Sequence, residues 1–160
     1  MKRINPEHVS VLMNTLNRGP FFRHLDMKFC DLGVGYSRVE LNIQKKHCNP
    51  FGSVHGGVYA SLIDSAAYMA VYCQQEENTG YTTLDLSINN LAMVREGKLI
   101  AEGKSIKIGH SICLAEVSVK NEQGKLLAYG VSKLMILSGE QAGGNTVDAL
   151  GSKPLPPKFI

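Results

Sequence analysis

His55-Gly-Gly-Val-Tyr-Ala-Ser-Leu-Ile-Asp64-Ser-Ala-Ala-Tyr-Met-Ala-Val-Tyr-Cys73 is the most apolar segment of the chain, and its reading decides the fold. Val58, Leu62, Ala66, Met69, Ala70 and Cys73 recur at helical spacing and mark one broad buried face. A helix of this length needs a large apolar partner surface. The downstream half of the chain supplies one. Segments near Tyr81–Val94, Lys98–Ile108, Ile112–Lys120 and Leu126–Leu137 are strand-like. The breaks Arg95-Glu-Gly97, Gly109-His110 and Asn121-Glu-Gln-Gly124 suit hairpins, so the sheet should be antiparallel. The phase of alternation changes near Asn89-Asn90, where a bulge is expected. A sheet wrapped around one central helix is an α+β arrangement.

Upstream, Asn5-Pro6-Glu7 reads as a helix start, with Val9, Leu12, Met13 and Leu16 as its apolar stripe and Gly19-Pro20 as its stop. From about Leu25 to Gln44 the pattern is strand-like, broken at Gly33-Val-Gly35. The expected organisation is an N-terminal helical segment at 1–20, one domain at 21–137, and a loosely held, Gly- and Pro-rich tail at 138–160.

The 160 residues carry 44% hydrophobic and 19% charged side chains, which fits one compact domain and argues against wholesale disorder. With no Trp, 7% aromatics and a dispersed net charge of +3, nucleic-acid binding is not expected. Cys30, Cys48, Cys73 and Cys113 have no metal-ligand spacing and read as reduced, buried thiols. His8, His24 and His47 read as ordinary helix or loop histidines, and no metal site is expected. The Met1-Lys-Arg-Ile start lacks the apolar core of a secretory signal, and no apolar run approaches the ~20 residues of a membrane span. A cytoplasmic location without membrane partners is the expectation.

Asp64 is the only formally charged side chain between Lys46 and Glu76. Inside so apolar a helix it should be hydrogen-bonded, or desolvated with a raised pKa. The plainer alternative is that Ser61, Asp64, Ser65 and Tyr68 form the helix's wet stripe. Gly56-Gly57 is costly within a helix but useful at its N-terminus, where bare N–H groups and the helix dipole favour a polarised carbonyl. A glycine turn with no ligand remains the other reading. Gly56 and Asp64 are eight residues apart, ~12 Å along the axis. One helix can hardly bring both groups to one reacting carbon. If both act, the acid comes from a neighbouring copy, and a homodimer with two composite sites results.

The run Asn49-Pro-Phe-Gly-Ser-Val-His55-Gly-Gly-Val-Tyr-Ala-Ser-Leu-Ile-Asp64 resembles the N-x-x-G-x-x-H-G-G-x-x-x-x-x-x-D signature of hotdog-fold acyl-CoA thioesterases of the phenylacetate-pathway, acyl-CoA thioesterase 13 and 4-hydroxybenzoyl-CoA thioesterase type. The likeness spans roughly residues 20–137, including Thr83-Leu-Asp85-Leu-Ser-Ile and Gly124…Ala128-Tyr-Gly130. It implies a hotdog fold: a long central helix wrapped by an antiparallel sheet of five to six strands, plus an N-terminal helix. It also implies hydrolysis of acyl-CoA to a carboxylic acid and coenzyme A, with no cofactor beyond the substrate's own coenzyme A. By the same resemblance Asp64 is general base or nucleophile, and the Gly56 N–H polarises the carbonyl. Asn49 positions water or thioester, Thr83 orients water beside the acid, and His55, with Gly57 beside it, orders the loop near the substrate. Dimers that pair again into homotetramers are implied too. Gly109-His110-Ser111 departs from the G-[KR]-[ST] of many relatives. It is a candidate contact to the CoA nucleotide, with Lys104 and Lys107 nearby, or simply a hairpin. The rival classes are a non-catalytic acyl-CoA-binding hotdog protein and a hotdog hydratase or dehydratase, which would need a His–acid pair.

Overall fold

A computed structural model describes residues 2–76, 79–137 and 155–160. Helix α1 (Pro6–Leu16) begins as its sequence dictates, with the Asn5 side chain accepting the Glu7 N–H at 3.0 Å and Pro6 in the first turn. Gly19-Pro20 ends that helix but also starts another. Pro20 sits in the first turn of a short helix α2 (Pro20–Leu25), closed by Asp26 in the left-handed region at φ 52°. Proline at a first helical position initiates as readily as it stops.

Among the described residues six strands follow: β1 (Met27–Gly33), β2 (Tyr36–Asn42), then, after helix α3 (Gly56–Tyr72), β3 (Gly80–Asn90), β4 (Lys98–Ile108), β5 (Ile112–Lys120) and β6 (Leu126–Leu137). All pairings are antiparallel, in the order β1-β2-β4-β5-β6-β3. Two of the three expected downstream hairpins form. Arg95-Glu-Gly97 does not make one, because β3 leaves β4 and pairs with β6 at the far edge. The connection instead crosses the sheet end, where Val94 accepts the Val54 N–H at 2.9 Å and the Arg95 guanidinium donates to the Phe51 carbonyl.

Helix α3 lies in the concave face of this sheet. Leu62, Ile63, Ala66, Ala67, Ala70 and Val71 are fully buried against Leu99, Ala101, Val117, Val119 and Leu134. Small residues set the distance of approach. A Cβ on Gly103 would lie 2.5 Å from the Ala66 carbonyl, and one on Gly130 would lie 2.8 Å from the Ile63 side chain. Ser37, paired with Gly103, donates to that same Ala66 carbonyl at 2.6 Å.

The bulge lies elsewhere than expected. Register shifts between Thr83 and Asp85, leaving Leu84 as the extra residue, and β3 simply ends at Asn90. The shift has a consequence for facing. Thr83 pairs with Leu134, and Leu86 and Ile88 pair with Ser132 and Gly130, so all three β3 residues face α3 despite their mixed parity. Without the bulge one set would point away.

The final segment is held firmly, against the expectation of a loose tail; residues 138–154 of that tail lie outside the described residues. Phe159 bridges Ile4, and Asn5 donates to the Lys158 carbonyl at 2.8 Å. Lys158, 3% exposed, donates to the carbonyls of Tyr72, Gln75 and Glu76 at 3.2 Å each and stands 3.9 Å from the Tyr72 ring centroid. A cation thus caps the negative end of α3. Cys73 and Cys113 are buried, whereas Cys48 is half-buried and Cys30 exposed, so the cysteines are not uniformly core residues. Among the described residues no helix is long and apolar enough to cross a membrane.

Candidate active site

The loop entering α3 is knitted by Asn49. Its side-chain carbonyl accepts the N–H groups of Phe51 (2.9 Å) and Ser53 (3.3 Å), and its amide nitrogen donates to the Ser53 hydroxyl at 3.0 Å. The turn between them needs φ 83° at Gly52, the left-handed region that glycine enters without cost. The Asn49 carbonyl is therefore committed to its own loop, leaving one amide N–H for anything else. Beneath the loop His47 is fully buried, with its Nδ1 accepting the Gln44 N–H and its Nε2 2.7 Å from the Leu25 carbonyl. Those partners place its proton on Nε2. His47 is thus a packing and capping residue rather than an ordinary loop histidine.

His55 is the N-cap of α3: its Nδ1 accepts the Gly57 N–H at 2.8 Å, and its carbonyl accepts the Val58 N–H. Of the first three donors of the helix, only the Gly56 N–H has no acceptor among the described residues. Gly56 is also where another residue comes close. The amide nitrogen of Asn90 lies 3.1 Å from the point a Gly56 Cβ would occupy. Asn90 is not among the candidates that the sequence motif picks out. The available signal was Asn89-Asn90 closing a strand, two poor strand formers where a β-branched pair would serve the sheet better.

Two turns further along α3, half-buried Asp64 accepts a 2.8 Å hydrogen bond from the Thr83 hydroxyl. The acid is hydrogen-bonded, and the bulge at Leu84 comes directly after its donor. Tyr68, one turn on, has its hydroxyl pKa pushed up by burial and by the Asp64 charge. That hydroxyl donates to the Tyr81 carbonyl at 3.4 Å, and the two rings meet edge to face at 71°. The acid is backed by aromatic surface on one side and a hydroxyl donor on the other.

The Gly109-His110-Ser111 turn joins β4 to β5. A Cβ on Gly109 would lie 2.3 Å from the Ile112 carbonyl, which accepts the Gly109 N–H, so the glycine is required by the turn itself. His110 and Ser111 are exposed, and the Ser111 carbonyl accepts the Ile136 N–H. Ile112 pairs with Met135, which pairs with Thr82, so this turn sits at the Thr83 end of the sheet.

The candidate residues thus fall into two groups. Asp64, Thr83 and the 109–111 turn occupy one end of the sheet; Asn49, His55, Gly56, Gly57 and Asn90 occupy the other. Thr83 and Asn90 are seven residues apart on β3, about 20 Å of extended chain. One chain does not bring the acid and the open N–H together. No trio of His, Cys, Asp or Glu able to hold a metal occurs among the described residues.

Comparison with known proteins agrees with this architecture. Residues 51–128 match the model of the thioesterase superfamily. "Putative esterase SSO1253" of Saccharolobus solfataricus is 30% identical over 128 residues, 80% of this chain and 85% of the relative. Acyl-coenzyme A thioesterase 13 of Mus musculus is 30% identical over 93 residues, 57% of this chain and 66% of that protein. The crystal structure of thioesterase HI1161 from Haemophilus influenzae superposes with a TM-score of 0.78 at 24% identity, covering 86% of this chain and 96% of that one. That similarity concerns the hotdog fold.

Proposed function

The chain belongs to the thioesterase superfamily, and from that premise we propose that it hydrolyses acyl-coenzyme A thioesters in sites shared between two subunits, with Asp64 as general base. The observation that carries this reading is the Thr83–Asp64 hydrogen bond, which holds a lone carboxylate ready within an otherwise uncharged helix. Asp64 removes a proton from water as the water oxygen bonds to the thioester carbon. The carbonyl oxygen becomes an oxyanion facing the Gly56 N–H at the positive end of α3 of the other subunit. Collapse of this intermediate breaks the C–S bond, and the proton held by Asp64 leaves with the thiolate as coenzyme A thiol. No metal or redox step is needed.

Dimerisation is supported by the outer edge of β3, an eleven-residue strand that pairs with no further strand among the described residues and has Leu84 56% exposed. A long strand edge with its backbone N–H and C=O groups unpaired invites pairing. Antiparallel pairing of β3 with its own copy about a two-fold axis sets the Thr83 end of one strand beside the Asn90 end of the other. The Asp64–Thr83 pair of one subunit then approaches Gly56 of its partner. The exposed His110 and Ser111, with exposed Lys104 and Lys107 on β4, would meet the coenzyme A phosphates, and two dimers would pair again into a tetramer. A cytoplasmic enzyme acting on intracellular acyl-CoA is the matching setting.

The test is thiol release over a panel of aromatic and aliphatic acyl-CoAs, read with Ellman's reagent. Asp64→Asn keeps the shape and the acceptor for Thr83, yet should lower kcat by about 10²–10⁴-fold with an unchanged melting temperature. Turnover like the parent protein's in that variant would remove the mechanism. Conversion of an enoyl substrate without thiol release would favour a hydratase.

A further inference from the structure

Resting on the reading of the α3 N-terminus as the carbonyl-binding end, we infer that Asn90 supplies the second donor of the oxyanion hole. An oxyanion carries lone pairs for more than one hydrogen bond, and sites that stabilise it use converging donors fixed in advance. The helix offers only one. Gly57 N–H is spent on the His55 ring and Val58 N–H on the His55 carbonyl, which leaves Gly56 alone. Asn90 stands beside it, its amide nitrogen in contact range of the Gly56 α-carbon face and without a hydrogen-bond partner among the described residues.

Three features of the fold aim this amide. The bulge at Leu84 sets the phase of β3 so that Leu86, Ile88 and therefore Asn90 face α3; an unbulged strand would present Asn89 instead. Asn90 is the last residue of β3, paired with Ala128, and the chain beyond it turns sharply, with Leu91 and Ala92 both donating to the Leu127 carbonyl at 2.8 and 3.1 Å. The Asn90 backbone is thus pinned on both sides while its side chain stays open to solvent. Finally, Gly56 carries no side chain, and a Cβ there would push into the Asn90 amide, so glycine at this position makes room for both the ligand and its second donor. The amide is neutral. It can strengthen its hydrogen bond as negative charge develops without holding the charged carboxylate product as a cation would.

Kinetics of Asn90→Ala and Asn90→Asp on the best acyl-CoA of the panel test this. Asn90→Ala should lower kcat about 100-fold, the usual loss for one oxyanion donor, with KM nearly unchanged. Asn90→Asp is nearly isosteric but sets a like charge beside the oxyanion, so its kcat should fall further than that of the alanine variant. Both should melt with the parent protein. Undiminished kcat in either variant, or equal losses accompanied by lower melting temperatures, would overturn the assignment. Asp64→Asn, measured alongside, separates the cases: if it is inactive while Asn90→Ala is fully active, only Asn90 is misassigned. If Asp64→Asn is fully active, the underlying reading fails as well.

Discussion

Two inactive variants mixed together give the sharpest test of a site divided between chains. The first is Asp64→Asn. The second is Gly56→Pro, chosen because the fold tolerates it: position 56 is the first residue of α3, where proline is at home, and His55 already has the extended backbone (φ −67°, ψ 139°) that a residue before proline requires. The substitution deletes that N–H without disturbing the helix start, and its Cβ also presses on the Asn90 amide, 3.1 Å from that point, so the lesion falls wholly on the donor half of the site carried by the same chain. As that N–H is the open donor of the helix, kcat should fall by at least about 10²–10³-fold, some 3–4 kcal/mol of transition-state stabilisation. When the two variants are co-expressed in equal amounts, about half of the dimers are hybrids. In a hybrid, one site receives both lesions and the other receives neither. About a quarter of the activity of the unmodified protein should return, whether or not dimers pair again. Thiol release per milligram, compared with each variant alone, reads the result. If each site were complete within one chain, every chain would carry a lesion and the mixture would stay at the level of its parents. That outcome refutes the division.

Thr83→Val removes the hydroxyl that holds Asp64 and should lower kcat roughly ten-fold, the worth of one hydrogen bond to a charged group, while Thr83→Ser restores most of it in steady-state assays. Leu84→Asp places a charge on the exposed edge of β3 and should shift sedimentation toward monomer with activity lost in parallel. Lys158→Met keeps the stem over Tyr72 but leaves three carbonyls at the end of α3 without their ammonium; a loss of about 2–3 kcal/mol, roughly 5–10 °C in melting temperature, is expected by calorimetry. Cys73, whose thiol burial pushes up to about 12, should stay silent to Ellman's reagent in the folded protein while exposed Cys30 reacts.

Local periodicity made most of the fold legible. The limits of α3, β4, β5 and β6 come from apolar spacing and from the glycines that end each run, because those signals act within a few residues. Asp64 was visible for a related reason: a lone charge in an apolar helix contradicts its surroundings. What was hidden depends on partners distant in sequence. Pro20 could stop a helix or begin one, and packing of Phe22 on Phe29 accompanies the second choice. The 91–97 connection resembled a hairpin because nothing local says that β3 belongs beside β6. Lys158 looked like one more tail lysine until the end of α3 supplied three carbonyls for it. His47 looked like a loop residue because its partners, Gln44 and the distant Leu25, meet only in the folded chain.

The bulge at Leu84 links several of these observations. It lies beside the hydroxyl that holds the acid, it turns Asn90 toward Gly56, and it leaves an apolar side chain on the open edge of the sheet. A lone subunit gains nothing from the last of these, since exposed apolar edges promote aggregation. In the proposed dimer, self-pairing of β3 would turn it to use, carrying each acid toward the other subunit's open N–H. Helical rise fixes the distance between Gly56 and Asp64 within one chain at ~12 Å, too far for both to touch one carbonyl group. The irregularity in β3 and the spacing on α3 therefore support the same proposal: that the acid and the oxyanion donors acting together come from different copies of the chain.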